Sequence, residues 1–519
     1  MKVDNINKIL KQLVLYDKKT FLYIFGYAIF ISILYLALPL STQLIINRIT
    51  HTALLQPIIF MSLVLVILLA LAGVLHVLQK YLLEMYKRQS FVRLSSQLFM
   101  KGLYSDHNDL NDNLTNDLSS KYFEIFTIQD TTAVLFMEGL LLSLQIIVGF
   151  ILSSFYHPYI LVINIITIII IYLTWKIFKD KAIVAAINRS KKKYKVYSWF
   201  DNVLNNSHEL RNKHSIDFSI AKSRSLISEY INARVGYWRI NLVQIIIFIT
   251  LASFIILSIF SVGSFLVING QLTLGQLIAS EIIFTSAIFG ISKLANYFDY
   301  YYELVASVDK ISYLLELAEC KTADNTTLEH SQYIFDYQNV IVDNKGMSYK
   351  YNLALPLNNF QNISLNSEAE SLTLISLMKH KRVVIQQSLS LDELEYTNSE
   401  VLVIENINLF ASSLICYLTC KISPQEIDFI KAKNLLAQLN LTSLVDRLDN
   451  GINSEIINNL QLSMREIVLL KLIRAILSRL DYIVIGGLVN ILEDGDIQNI
   501  KLLFANLDKY LIIVNYKKY

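Results

Sequence analysis

Apolar residues along this chain gather into six long runs and then break into short ones. The runs cover 21–45, 58–78, 133–153, 158–178, 242–265 and 277–293. Each approaches or reaches the roughly 20 residues that an α-helix needs to cross a hydrocarbon core. Short connections join runs one and two, three and four, and five and six. Two long polar stretches separate the second run from the third and the fourth from the fifth. Those stretches lack proline, and apolar residues recur in them at helical spacing: Leu82, Leu83, Tyr86 and Phe91, then Val196, Trp199, Phe200 and Val203. The pattern predicts membrane helices that continue past the bilayer, turn and come back. Pro39 predicts a kink in the first run, and Pro57 and Pro158 predict the starts of the second and fourth.

Beyond 293 the character changes. Residues 294–317 still read as helix, with an aromatic run at Tyr297, Phe298, Tyr300, Tyr301 and Tyr302 that suits a membrane-interface belt and core packing. A polar, turn-rich stretch at 322–332 reads as a linker. From 333 onward short β-branched runs alternate with helical ones. The predicted strands are 333–342, 372–376, 383–386, 401–404, 482–485 and 510–514, and the predicted helices include 424–439 and 463–480. Such alternation implies an α/β domain with a largely parallel sheet. The organisation is therefore an N-terminal segment at 1–20, an all-α six-helix transmembrane domain at 21–317, a linker at 318–332 and an α/β domain at 333–519.

Composition agrees with a membrane domain joined to a polar one. Of 519 residues 54% are hydrophobic and only 17% charged, against about a quarter charged in a soluble globular chain. A net charge of +3 gives no reason to expect a nucleic-acid partner. The cysteines Cys320, Cys416 and Cys420 form no framework spacing, which fits a reducing compartment, and nothing completes a four-ligand metal site. The segment 1–20 carries five lysines but no short apolar core with a small-residue cleavage site, so no removable signal peptide is expected. Basic residues crowd the long connections, including Lys191–Lys193, while the short ones hold essentially Arg48 alone. The positive-inside bias places the long connections and both termini in the cytoplasm.

Six spans, two long cytosolic hairpins and a C-terminal α/β domain together resemble one half of an ATP-binding-cassette exporter. The stretch from Val262-Gly-Ser-Phe to Leu274-Gly-Gln276 resembles the outer loop and start of the sixth helix in that family, and Leu38-Pro39-Leu40-Ser-Thr-Gln43 the end of the first. The membrane half looks closest to exporters of the type I secretion group that lack an N-terminal peptidase. The resemblance implies a bacterial inner-membrane location and a second half-transporter subunit as partner. It also implies that hairpin tips near 116–126 and 207–213 dock on the cassette domain.

In the α/β domain the resemblance implies where each part of an ATP site should stand, and the residues there are wrong for it. Tyr351 stands at the residue that stacks on adenine. The run 371–376 resembles the strand before the phosphate loop. Only Leu377-Met-Lys-His-Lys-Arg382 separates it from the next strand, so the glycine-rich loop and its helix read as deleted. No glycine occurs from Met347 to Asn450. Lys379 and Lys381 add charge without a nest of N–H groups. Glu405 replaces the glutamine that senses Mg²⁺. Leu462, Ser463, Met464, Arg465 and Glu466 stand at the signature loop, of which only the first two residues match. Gly486 and Gly487 occupy the carboxylate pair, Tyr516 the switch histidine, and Asp494 and Asp496 lie too far along to substitute. With no carboxylate or histidine placed to activate water, this reads as a degenerate nucleotide-binding domain and not as an enzyme. ATP and Mg²⁺ would enter only on a partner's phosphate loop, and no cofactor or metal is expected on this chain itself.

Two functions follow from different classes. One is the ATPase-inactive half of a heteromeric exporter-like complex, shaping the pathway while a partner hydrolyses ATP. The other is an ATP-independent scaffold or channel-like subunit that docks other envelope export components. Candidate pathway residues are the polar groups within the spans: Gln43, Glu138, Gln145, Asn164 and Glu281.

Overall fold

The computed structural model describes residues 18–51, 55–104, 121–315, 333–344, 347–356, 358–380, 383–385, 387–390, 401–456 and 462–516. The chain divides into two units, Met1–Leu317 and Ala318–Tyr519.

The first unit is helical. Its elements are α1 (Lys18–Tyr35), α2 (Ala37–His51), α3 (Leu55–Tyr104), α4 (Glu124–Val134), α5 (Leu140–Ser154), α6 (Pro158–Asn205), α7 (Lys213–Ile268) and α8 (Leu274–Leu315). Among the described residues six helical stretches are long and apolar enough to cross a membrane: Lys19–Thr50, Leu55–Tyr104, Glu124–Ser154, Pro158–Asn205, Lys213–Ile268 and Leu274–Ser312. The six predicted runs fall one in each. At most 44% of any span's most apolar window is buried, and only 6% of the second span's, so most of this apolar surface faces outward, where lipid would cover it. The helices α3, α6 and α7 have 50, 48 and 56 residues. At about 1.5 Å per residue they are more than twice as long as a hydrocarbon core of about 30 Å. Helical hairpins therefore project well beyond the bilayer.

Local chemistry sets the breaks. Pro39 has no N–H to offer the Tyr35 carbonyl, and α1 ends there, with Leu36 between it and α2. Pro158 sits at the first position of α6, where His157 Nδ1 accepts from Tyr159 N–H at 3.2 Å. Thr273 and Gln276 cap α8 reciprocally, side chain to N–H in both directions. The third span contains a π-helical turn, Leu135–Gly139, between α4 and α5. Phe150, Phe248, Phe284 and Ile291 centre one core, and Leu94, Ile125, Ile183, Tyr237 and Tyr302 a second one further along the hairpins.

The second unit is α/β. It contains β1 (Tyr333–Asn344), β2 (Met347–Pro356), β3 (Phe360–Leu365), α9 (Glu368–His380), β4 (Val383–Ile385), β5 (Ser388–Ser390), β6 (Val401–Ile404), α10 (Leu414–Thr419), α11 (Glu426–Gln438), α12 (Thr442–Arg447), α13 (Met464–Leu477), β7 (Tyr482–Ile485), α14 (Asp494–Ala505) and β8 (Tyr510–Tyr516). A parallel sheet runs in the order β3-β8-β7-β6. In the second sheet β1 pairs antiparallel with β2 and parallel with β4 and β5. The strands β6 and β7 begin and end where the sequence places them.

The predicted strand at 372–376 is the main correction. It lies inside α9. A short β-branched run does not by itself distinguish strand from helix, and here the residues before it decide. Ser367 Oγ accepts from Glu370 N–H at 3.2 Å, and the Glu370 carboxylate accepts from Asn366 N–H at 3.0 Å. That is an N-terminal helix signal three residues apart. The helix buries Leu374, Ile375, Leu377 and Met378 against Val401, Val484, Ile512 and Val514 of the sheet.

Candidate functional site

In open parallel sheets, ligands bind outside the carboxyl ends of the strands. At that end of the β3-β8-β7-β6 sheet the structure gathers Glu405, Gly486, Gly487 and Tyr516, each at or just past the end of its strand. The ground between them is filled. A Cβ added to Gly486 would meet Ile375 Cδ1 of α9 at 2.9 Å. A Cβ added to Gly487 would meet the Tyr516 ring at 3.2 Å. Lys379, one turn beyond Ile375, forms an ion pair with Glu405. Glu405 is thus paired with α9, and Gly486 and Gly487 lie tight against the Ile375 and Tyr516 side chains.

The phosphate-binding arrangement is a strand, an eight-residue glycine-rich loop and a helix. Here β3 ends at Leu365 and α9 begins at Glu368, so only Asn366 and Ser367 lie between strand and helix. The expectation that no helix follows is corrected: α9 follows β3 after a two-residue turn. The first turn of α9 carries Glu368 and Glu370. The Glu370 N–H donates to the chain's own Ser367 hydroxyl, and the helix dipole is matched by carboxylates. Residues Lys381 and Arg382 lie outside the described residues.

Tyr351 is also corrected. It is 3% exposed, in the core between β2 and α9. Its hydroxyl donates to the Glu370 carbonyl at 2.7 Å, and burial pushes the phenol pKa up. A ring so enclosed presents no face to a base.

Residues 462–466, expected at the signature loop, form a helix start. Ser463 caps α13: its Oγ accepts from Glu466 N–H at 3.2 Å and the Glu466 carboxylate accepts from Ser463 N–H at 2.7 Å. Glu466 is buried and pairs with Arg447. Leu462 packs partly buried against the helical core. Met464 is exposed. Arg465 turns back into its own domain, where Nε lies 2.6 Å from Asp496 Oδ2 and Nη2 2.5 Å from Oδ1. Asp496 is 4% exposed, and the Arg465 guanidinium holds its carboxyl below the usual carboxylate range. Sequence reasoning did not single out Lys471 of α13. Its Nζ donates to the carbonyl and the side-chain oxygen of Asn406, both at 2.6 Å. Burial, reinforced by the Arg474 charge, lowers its pKa to about 8.

The candidate pathway residues do not converge. Gln43 accepts from the Tyr156 hydroxyl at 2.7 Å, and its backbone abuts Gly275, where a Cβ would come within 2.7 Å of the Gln43 carbonyl oxygen. Glycine there lets α2 and α8 touch. Asn164 is 2% exposed, and its Nδ2 lies within 3.0 Å of the Phe150 carbonyl, Ser153 Oγ and Ser154 Oγ, clamping α6 to α5. Glu138 stands in the π-helical turn and accepts from the Tyr297 hydroxyl at 3.3 Å. Gln145 and Glu281 are half-buried, and Glu281 makes no hydrogen bond or ion pair among the described residues. No group of three His, Cys, Asp or Glu side chains able to hold a metal occurs among the described residues. Of the hairpin tips, 116–120 lie outside the described residues, and the second tip is a turn followed by a short 3-10 helix, Glu209–Arg211.

Residues 21–291 match the family model of the ABC transporter transmembrane region. A search of curated proteins finds no significant match to the chain.

Proposed function

We propose that this chain, which belongs to the ABC transporter family through its transmembrane region, is the non-hydrolysing half of a heteromeric exporter-like complex. One observation carries the reading: two residues, Asn366 and Ser367, join β3 to α9. A triphosphate needs a cradle of successive N–H groups with a lysine aimed at it, and this turn offers neither. The Ile375–Gly486 and Tyr516–Gly487 packing and the Lys379–Glu405 pair support the same reading from the other side of the site.

A partner with an intact cassette would supply the hydrolysing site. Its phosphate loop would face the Ser463 end of α13, while its signature loop would face the closed turn before α9. The chain would then shape the membrane pathway and respond to the partner's cycle through its own α/β domain. The basic long hairpins favour a cytoplasmic placement of that domain, in the inner membrane of a bacterium.

Co-purification of the full chain from native membranes, followed by an ATPase assay of the complex, tests this. An intact cassette subunit and ATPase activity abolished by a phosphate-loop mutation in that subunit are the expected results. Recovery of non-ATPase envelope proteins alone would instead favour an ATP-independent scaffold.

A further inference from the structure

The outward face of α6 changes chemistry within two turns. Ile165, Ile166 and Ile169 are each about half exposed, as a lipid-facing surface is. Next come Tyr172 and Trp175, and one turn after each stands a lysine. Lys176 Nζ lies 5.9 Å from the Tyr172 ring centroid and Lys179 Nζ 4.7 Å from that of Trp175. Both ammonium groups are within reach of a cation–π attraction. Neither lysine forms an ion pair among the described residues. The nearest acidic neighbour in sequence, Asp180, follows Lys179 directly and so points about 100° round the helix. Tyr172 and Lys176 are exposed and Trp175 and Lys179 half-buried, so one side of the quartet is open to the bilayer.

A second helix repeats the arrangement at the same depth. Lys293 Nζ of α8 lies 4.3 Å from the centroid of Phe289, which is 57% exposed. Arg189 of α6 pairs with Glu303 of α8 at 3.4 Å. Both helices run toward the long hairpins, and Lys179 and Lys293 each precede that pair by ten residues, about 15 Å of helix. Aromatic rings with lysines just beyond them therefore stand at one level, where the apolar spans give way to the polar hairpins. That is the level of the lipid headgroups.

We infer that Tyr172, Trp175, Lys176 and Lys179 form a binding site for the phosphate of an anionic phospholipid. The rings lie at the headgroup boundary with their apolar bodies toward the acyl chains. The lysine stems run along them, and two ammonium groups one turn apart take the phosphate between them. A zwitterionic lipid offers the same phosphate but brings its own cation, which the two lysines repel. The site discriminates by headgroup charge.

Native mass spectrometry of the full chain in detergent, titrated separately with phosphatidylglycerol and phosphatidylcholine, tests the assignment. Wild type is expected to bind phosphatidylglycerol up to about 25-fold more tightly, from about fivefold for each of the two lysines. The Lys176→Gln/Lys179→Gln variant changes one exposed and one half-buried position and is expected to lose that preference. Lys191→Gln/Lys195→Gln removes the same charge further along α6 and is expected to keep it. Equal binding of both lipids by wild type would overturn the inference. So would an unchanged preference in the first variant, or an equal loss in both variants.

Discussion

Ile375 fills the space in which a side chain at Gly486 would have to stand, its Cδ1 lying 2.9 Å from the place of the missing Cβ. The two positions are coupled. A side chain at the end of β7 requires the Ile375 side chain of α9 to shift, and two residues connect α9 to β3. On the proposed reading, the short turn before α9 and the glycine at the end of β7 belong to one arrangement.

Placing a carboxylate at Gly486 should therefore harm the domain without conferring ATPase activity. Gly486→Asp forces bulk and charge against a buried isoleucine, an overpacking that typically costs about 1–3 kcal/mol. A thermal scan of the purified full chain should show the apparent Tm reduced by at least about 3 °C, with no ATPase activity gained. A variant as stable as wild type would mean that the site is open.

The Arg465–Asp496 pair should hold α13 to α14. Removing one partner of a largely buried charge pair costs about 3 kcal/mol, so Asp496→Asn should lower the apparent Tm at pH 7. The pH dependence has a definite sign. The folded carboxyl titrates below its ordinary 3.8, so the pair's contribution is complete above that value and is lost as pH falls through the folded one. The difference between wild type and Asp496→Asn should be constant from pH 5 to 7 and shrink below about pH 4. A difference that grew on acidification would contradict the assignment.

Lys471, lowered to about 8, is about half neutral amine at pH 8, whereas an ordinary lysine with a pKa near 10.4 is well under 1% neutral. Limiting acetic anhydride at pH 8 should modify Lys471 at least about tenfold faster than the exposed lysines, read by peptide mass spectrometry. Both rates should fall as pH drops to 6 with the advantage retained, and the advantage should fade as pH rises toward about 11, where ordinary lysines also lose their proton. Equal labelling of Lys471 and Lys433 at pH 8 would show that the amine is not perturbed.

Much of the architecture was legible because it rests on patterns that composition alone imposes. Six apolar runs need no tertiary context to be seen, and each lies in one membrane-length helix. The strands β6 and β7 are short, apolar and bounded by turns, and they stand where the sequence puts them. The region around 366–380 was misread because its β-branched residues, Thr373 and Ile375, suit a strand. The Ser367–Glu370 capping pattern was the signal that outweighs them. Tyr351 was misplaced for a different reason. An aromatic in mid-strand can face a ligand or the core, and only the position of α9 decides which. The pathway residues were chosen for polarity within apolar runs. Polarity cannot distinguish a clamp such as Asn164 from a lining group, because both satisfy the same hydrogen-bonding need.

The central claim is that this chain's own α/β domain cannot hold a nucleotide. The most direct measurement is equilibrium binding of radiolabelled Mg-ATP to the purified full chain, free of partners. The account predicts no saturable binding up to about 1 mM, a free energy weaker than about 4 kcal/mol. Saturable binding below that concentration, with a photoreactive ATP analogue attached near Asn366 and Ser367, would contradict it.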